Sequence, residues 1–98
     1  MPKLEEVVKS HDPEKKLDAV FTTDTGRTKT VSFGQAGARD YTRPPHDKVR
    51  RERYITRHAP REDWTDPTKS GTLSRYILWG SSISLLKNIE EYHRKFKV

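Results

Sequence analysis

The sequence predicts an α+β domain, with an amino-terminal β-hairpin followed by about three short helices around a small core. Residues 17–33 alternate between apolar and polar side chains around a turn-forming Asp-Thr-Gly-Arg sequence at 24–27, which is typical of a hairpin. Further along the chain, apolar residues recur at helical spacing. We therefore expect residues 17–98 to form one small domain, and residues 1–16 to form a flexible arm or a loosely docked helix.

Composition limits the size of the core and the class of partner. Ninety-eight residues, of which 31% are hydrophobic and 35% charged, make one domain with a small core. The net charge of +6 and the pI of about 9.7 favour a polyanionic partner, which is nucleic acid, an acidic protein or a membrane surface. The absence of cysteine excludes disulfides and cysteine-based zinc sites.

The chain has no apolar run of the roughly 18 residues that would predict a transmembrane helix. Its amino terminus also lacks the apolar centre of a signal peptide. We therefore expect no transmembrane segment and no secretion by a signal peptide, and we expect an intracellular protein or one packaged in a particle.

The hairpin has one apolar face. Leu17, Ala19 and Phe21 lie on the same side of the first strand, and Val31 and Phe33 continue the apolar pattern after the turn. Because an isolated hairpin is only marginally stable, this face must pack on the helices that follow.

A small, flexible segment at residues 34–38 links the hairpin to the rest of the chain. It resembles a phosphate-binding loop only superficially, because the Lys-Ser/Thr pair of that motif is absent. We interpret it as a tight connection in which Gly34 and Gly37 adopt positive φ.

Most of the excess charge lies in residues 43–61, where seven Lys or Arg stand against two Asp or Glu. With Pro45 at the first helical position and Pro60 just after the end, this segment predicts a helix of about three turns. At about 100° per residue, four side chains share one stripe of roughly 60°: His46, Arg50, Arg53 and Arg57. Such a stripe either follows a row of phosphates or is a solvated face with internal carboxylate partners.

A second helix is predicted to begin with Asp66 as N-cap and Pro67 at the first helical position, and to stop at Gly80. Before it, Trp64 either plugs the core from a loop or serves as a base-stacking or partner-anchoring residue. Arg75 either makes a salt bridge at the edge of the core or provides a second anion contact.

The last helix has the clearest amphipathic pattern, and Ser81 or Ser82 is its predicted N-cap. Together, the predicted elements give a small core with these members: Phe21, Val31, Phe33, Leu73, Tyr76, Ile77, Leu86, Ile89 and Phe96.

The four histidines give no metal-binding spacing, so we expect no metal and no cofactor. His58, with Asp63 or Asp66 nearby in sequence, is a candidate for the base of a nuclease. The alternative is that Arg57 and His58 hydrogen-bond the loop carrying Trp64 back onto the basic helix. We favour that alternative, and predict that the protein is not an enzyme.

Three segments of the sequence resemble a family of small basic proteins encoded mainly by large double-stranded DNA viruses of algae and protists. The segments are residues 31–42, residues 50–80 and the closing amphipathic helix. The motifs that carry the resemblance are Phe33-Gly34, Asp40-Tyr41-Thr42, Tyr54 with Arg57-His58, Trp64 with Asp66-Pro67, and Ser74-Arg75 with Leu78-Trp79. The resemblance implies a virus-encoded protein located in the host nucleus or cytoplasm or packaged in the virion, but it implies no activity.

The main prediction is non-catalytic binding of nucleic-acid phosphates, DNA being favoured, with low sequence specificity. The predicted contacts are Arg43, Lys48, Arg50, Arg51, Arg53, Arg57 and Arg61, with Trp64 and Arg75 as candidate partner anchors. One alternative is a minor structural or assembly protein of a virus particle, whose arginines contact acidic surfaces of capsid or other virion proteins. A second is a small nuclease-like enzyme that uses His58. The oligomeric state has no signal in the sequence.

Overall fold

The computed structural model describes residues 2–98, which form a three-stranded antiparallel sheet followed by three helices. The α+β class predicted from the sequence is therefore confirmed. The elements are β1 (Lys3–Lys9), β2 (Lys15–Thr22), β3 (Thr28–Gln35), α1 (Lys48–His58), α2 (Ser70–Leu73) and α3 (Leu85–Phe96). A single 3-10 turn (Ala59–Arg61) extends α1, and a π-helical turn (Ser74–Leu78) extends α2.

The predicted hairpin is present as β2 and β3, which pair from Lys15 opposite Gln35 to Thr22 opposite Thr28. Gly26 adopts φ +80° in the turn, a conformation that glycine reaches without steric cost. Gly34 and Gly37 after β3 both have φ +79°, as expected for the tight connection. A Cβ at Gly34 would also lie 2.7 Å from Leu78 Cδ1, so the Leu78 side chain would have to shift to accommodate it.

The amino-terminal segment differs from the expected arm or loosely docked helix. Residues Lys3–Lys9 form β1, which pairs antiparallel with β2 and makes the sheet three-stranded in the order β1-β2-β3. Leu4 lies opposite Phe21 and is 2% exposed, so β1 contributes to the core. The strand was missed because its alternation is masked by Glu5 and Glu6 and is shifted by an irregularity between Leu4 and Glu6.

The core lies between one face of the sheet and the helices. Its fully or nearly buried apolar members are Leu4, Ala19, Phe21, Phe33, Leu73, Ile77, Leu78, Trp79 and Tyr92. Four predicted members are only partly buried against them: Val31, Tyr76, Ile89 and Phe96. The prediction of Leu86 was wrong, because this side chain is 74% exposed in the first turn of α3.

The second helix begins later than predicted. Asp66 does not cap a helix at Pro67, because its carboxylate accepts hydrogen bonds from the backbone and hydroxyl of Thr68 and forms a local turn. Helical structure starts at Ser70 and widens into the π-helical turn before Gly80. Gly80 is required by packing, since a Cβ would lie 2.4 Å from the Tyr76 carbonyl oxygen.

The cap of α3 is Ser84, not Ser81 or Ser82, and its side chain accepts a hydrogen bond from Lys87 N. Ser82 instead binds the buried Asn88, whose amide donates to the carbonyls of Ile77 and Ser82. Asn88 therefore joins the start of α3 to the end of the π-helical turn. In residues 2–98, no helix is both long enough and apolar enough to cross a membrane.

Candidate functional site

The basic helix α1 starts three residues later than the sequence predicted. Asp47 is the N-cap, and its carboxylate accepts a hydrogen bond from Arg50 N at 3.1 Å. Pro45 lies before the helix in a cis peptide bond, and His46 has φ +55° with its ring against the Tyr41 carbonyl oxygen. His46 therefore does not belong to the predicted stripe, which is reduced to Arg50, Arg53 and Arg57.

The cationic side of α1 is open to solvent. No residue of the helix is buried, and Lys48 and the three arginines of the stripe are all exposed. None of the ion pairs within residues 2–98 involves these four side chains. The stripe is therefore solvated, but no ion pair supports the interpretation that carboxylates of the same chain are its partners. We call Lys48, Arg50, Arg53 and Arg57 the basic face.

Arg43 and Arg61 are exposed before and after α1, whereas Arg51 points to the interior. The Arg51 Nε donates to the carbonyl oxygens of Trp79 at 3.2 Å and Gly80 at 2.8 Å, and its guanidinium lies 5.6 Å from the centre of the Tyr41 ring. Arg51 therefore attaches α1 to the end of the π-helical turn. Sequence reasoning had placed it among the phosphate contacts.

Trp64 and Arg75, the candidate partner anchors, contact each other. The Arg75 guanidinium lies between rings, 5.3 Å from the centre of Trp64 and 4.7 Å from that of Tyr76. Its Nη1 donates to the Trp79 carbonyl oxygen, and burial lowers its pKa. Both side chains are half-buried, so neither extends as a free anchor, and Arg75 makes no salt bridge within the described chain.

Three aromatic rings, two of them from α1, form a column that reaches the end of the π-helical turn. Tyr54 stacks on Trp79, with ring centres 4.6 Å apart and planes 8° from parallel, and His58 stacks on the other face of Tyr54 at 4.2 Å. Burial raises the pKa of Tyr54 to about 12, with a further contribution from the negative charge of Glu62. We call Trp79, Tyr54 and His58 the aromatic column.

The carboxylate partner of His58 is Glu62, at 3.4 Å from Nδ1, and not Asp63 or Asp66. Asp63 and Asp66 use their carboxylates in local turns, and hydrogen bonds from Thr65 and Thr68 lower their pKa values. Glu62 also accepts a hydrogen bond from Trp64 Nε1 at 3.1 Å, so His58 is linked to the Trp64 loop through Glu62. The i,i+4 spacing from His58 to Glu62 was the signal available in the sequence.

A cleft of about 460 Å³ opens between α1, the end of β3 with its following loop, and α2. The aromatic column lines it, and its cationic lining comes from Lys15, Lys16, Arg39, Arg50 and Arg57. Its two acidic residues are Asp40 and Glu62. Sequence reasoning missed the cleft because its residues come from four separate parts of the chain. Of the predicted phosphate contacts, only Arg50 and Arg57 line it, together with His58, the candidate base of the nuclease alternative.

The two carboxylates of the cleft are both engaged. Asp40 accepts from Lys16 Nζ at 2.5 Å and from Thr42, while Glu62 is held by His58 and Trp64. Lys15, Arg39, Arg50 and Arg57 have no ion-pair partner among residues 2–98. The cleft is therefore electropositive.

No metal site accompanies this arrangement in the described chain. Across residues 2–98, no three His, Cys, Asp or Glu side chains come together in a way that could hold a metal ion. The Nδ1 atom of His58 lies 3.4 Å from the Glu62 carboxylate, and the His58 ring is packed against Tyr54. The arrangement is suited to holding an anion next to flat, polarisable rings.

Comparison with known proteins identifies a family but no activity. The sequence model of a family described as a family of unknown function (DUF5754) matches residues 5–58. Because this match covers more than half of the chain, the protein belongs to that family. The matched region begins within β1 and ends at the last residue of α1. No match was found among curated proteins or among solved structures.

Proposed function

We propose that this member of a family of unknown function is a non-catalytic nucleic-acid-binding protein that holds DNA phosphates on the basic face of α1. The observation that carries the proposal is that Arg50, Arg53 and Arg57 are exposed and have no ion-pair partner within residues 2–98. An arginine that is already paired must give up its partner to bind phosphate. These arginines have no such partner to give up. When they bind phosphates, counterions are released from the nucleic acid, and this release favours binding.

The spacing of the arginines also supports phosphate binding. At 1.5 Å per residue, Arg50 and Arg57 are separated by about 10 Å along the helix axis. Over that length, duplex DNA presents on the order of six phosphate charges. Guanidinium groups bind phosphate oxygens through two parallel hydrogen bonds, which makes arginine suited to this contact.

Low sequence specificity follows from the same contacts. Phosphate contacts position a protein on the duplex without reading its bases. Reading bases would require side chains directed into a groove, and the side chain of Arg51, in the first half of α1, is directed to the carbonyls of Trp79 and Gly80 instead. We expect similar affinities for unrelated duplexes.

A salt series with a random duplex tests the proposal. Wild-type protein should bind with an affinity that falls steeply between about 50 and 200 mM salt. Changing Arg50, Arg53 and Arg57 together to Gln should reduce the log–log slope by about 2 to 3, because each lost phosphate contact removes ~0.9. Fluorescence anisotropy of a labelled duplex measures both quantities.

The matched control removes three charges that lie away from the basic face. Arg27, Lys29 and Arg94 are exposed and have no ion-pair partner in the described chain, so their joint change to Gln lowers the net charge equally. This control should keep most of the wild-type slope. Equal slopes for the two triple variants would show general charge attraction and no phosphate contacts by α1, and a folded protein that binds no duplex would refute the proposal.

One observation favours the alternative role in the assembly of a virus particle. Val49 is 57% exposed between Lys48 and Arg50, and it would supply an apolar contact among the charged ones if α1 lay in a protein interface. In that role, the same arginines would contact carboxylates of capsid or other virion proteins, and naked DNA would not bind. The salt series therefore separates the two functions.

A further inference from the structure

The cleft beside α1 combines positive charge with aromatic rings, a combination that the basic face does not have. The basic face offers only charge, whereas the cleft places charge next to the aromatic column. Its volume of about 460 Å³ lies within the range of roughly 300–1,000 Å³ that is usual for pockets that take small ligands. A concave site of this size admits a short, flexible segment of a polymer, and a double helix is too wide for it.

The charge of the cleft selects an anion. Of its two carboxylates, Asp40 forms an ion pair with Lys16. Glu62 lies next to His58 and accepts a hydrogen bond from Trp64. Lys15 and Arg39 line the cleft from the sheet and its following loop, and Arg50 and Arg57 line it from α1; these four cations are unpaired within residues 2–98. A phosphate backbone that passed between the two sides would meet positive charge on both.

The rings select for exposed bases. Tyr54 is covered on both faces by its neighbours in the column, but the side chain of His58 at the end is 42% exposed. Stacking on aromatic and histidine rings is how unpaired bases are held by proteins, and it needs no particular sequence. Bases within a duplex are stacked on each other and are not available for this contact.

We infer that the cleft binds an unpaired segment of single-stranded nucleic acid, with phosphates between Lys15/Arg39 and Arg50/Arg57 and a base against His58. The inference rests on the proposed nucleic-acid function and adds a preference to it. Duplex DNA contacts the basic face alone, while a single strand also enters the cleft. The protein therefore prefers single strands, or duplexes with an unpaired end.

Removing the sheet-side cations tests the cleft without altering α1. Lys15→Gln with Arg39→Gln should raise the Kd for a thymidine oligomer of about ten nucleotides by about tenfold, while the Kd for a duplex changes less than about twofold. The control pair, Arg27→Gln with Lys29→Gln, removes the same charge at the opposite end of β3 and should leave both Kd values close to wild type. An equal effect of the two pairs, or an equal loss for single strand and duplex, would overturn the inference.

The aromatic contact needs its own variant. His58→Ala should weaken single-strand binding, and His58→Phe should restore it, because phenylalanine keeps a ring at the end of the column. Failure of His58→Phe to restore binding in a folded protein would show that no base stacks there. If neither oligonucleotide binds wild-type protein, the proposed function itself fails. If both bind equally well and the Lys15/Arg39 pair has no effect, only the cleft inference fails.

Discussion

The side chain of Asp18 shows how a polar residue is stabilised on the face of the sheet that points away from the core. It alternates with Ala19 in β2, yet it is almost fully buried, because the loop between β1 and β2 folds over it. Its carboxylate accepts hydrogen bonds from Ser10 and Ser32, each at 2.6 Å, and also contacts His11 Nδ1. These bonds lower the pKa of Asp18, the contact with His11 contributing most, and the same contact raises the pKa of His11.

The contact between His11 and Asp18 makes the stability of the folded protein depend on pH. Because the folded-state pKa of His11 is raised, its contribution is complete below its ordinary value of 6.5 and is lost as the pH rises through the folded-state value. The contribution of Asp18, whose pKa is lowered, is present above its ordinary value of 3.8. The Tm difference between wild type and His11→Gln should thus be largest between pH 3.8 and pH 6.5, and it should shrink at higher pH. A Tm difference that stays constant from acidic to alkaline pH would contradict this account.

Single residues also mark the limit of sequence reasoning. The positive φ of Gly34 and Gly37 was predictable, because local turn geometry decides it. The role of Asn88 was not, because its partners are the carbonyls of Ile77 and Ser82, which only tertiary packing brings near. The pairing of His58 with Glu62 was partly predictable. The i,i+4 spacing indicates it, but Asp63 and Asp66 are also near His58 in sequence.

Among the elements, β1 changes most between expectation and structure. It is a core strand, so Leu4→Ala should destabilise the protein by about 2–5 kcal/mol, the usual cost of truncating a buried leucine. Leu86→Ala is the matched control, because Leu86 is 74% exposed and its truncation should change stability by less than about 0.5 kcal/mol. Urea unfolding measures both. Equal, small effects would mean that β1 is the loosely attached arm that the sequence suggested.

The basic helix illustrates why the presence of a helix was easier to predict than the residue at which it begins. Periodic charge and the Pro60 stop indicated a helix in the right place, but the start was placed at Pro45. Asp47 caps the helix instead, because the contact between His46 and the Tyr41 carbonyl orients the chain before it. In the same way, Thr68 binds Asp66 and delays α2 to Ser70. Local side-chain bonds decided both boundaries.

At the scale of the molecule, the sequence predicted the α+β class and the position of the basic helix, but not the cleft. The class follows from periodicity, which each segment carries alone. The cleft depends on Lys15 and Arg39 approaching α1, and on Tyr54 stacking between Trp79 and His58. These contacts join residues far apart in the chain, so no local pattern indicates them.

The most direct test of the central claim, that α1 is the nucleic-acid interface, is a backbone amide NMR titration of the protein with a random DNA duplex. The amides of residues 48–61 should show the largest chemical-shift changes, and those in the turn between β2 and β3 should stay unchanged. The shifts should also disappear as salt is raised, because phosphate contacts are weakened by salt. Shifts confined to the sheet or to α3, or no shifts at all at low salt, would contradict the claim.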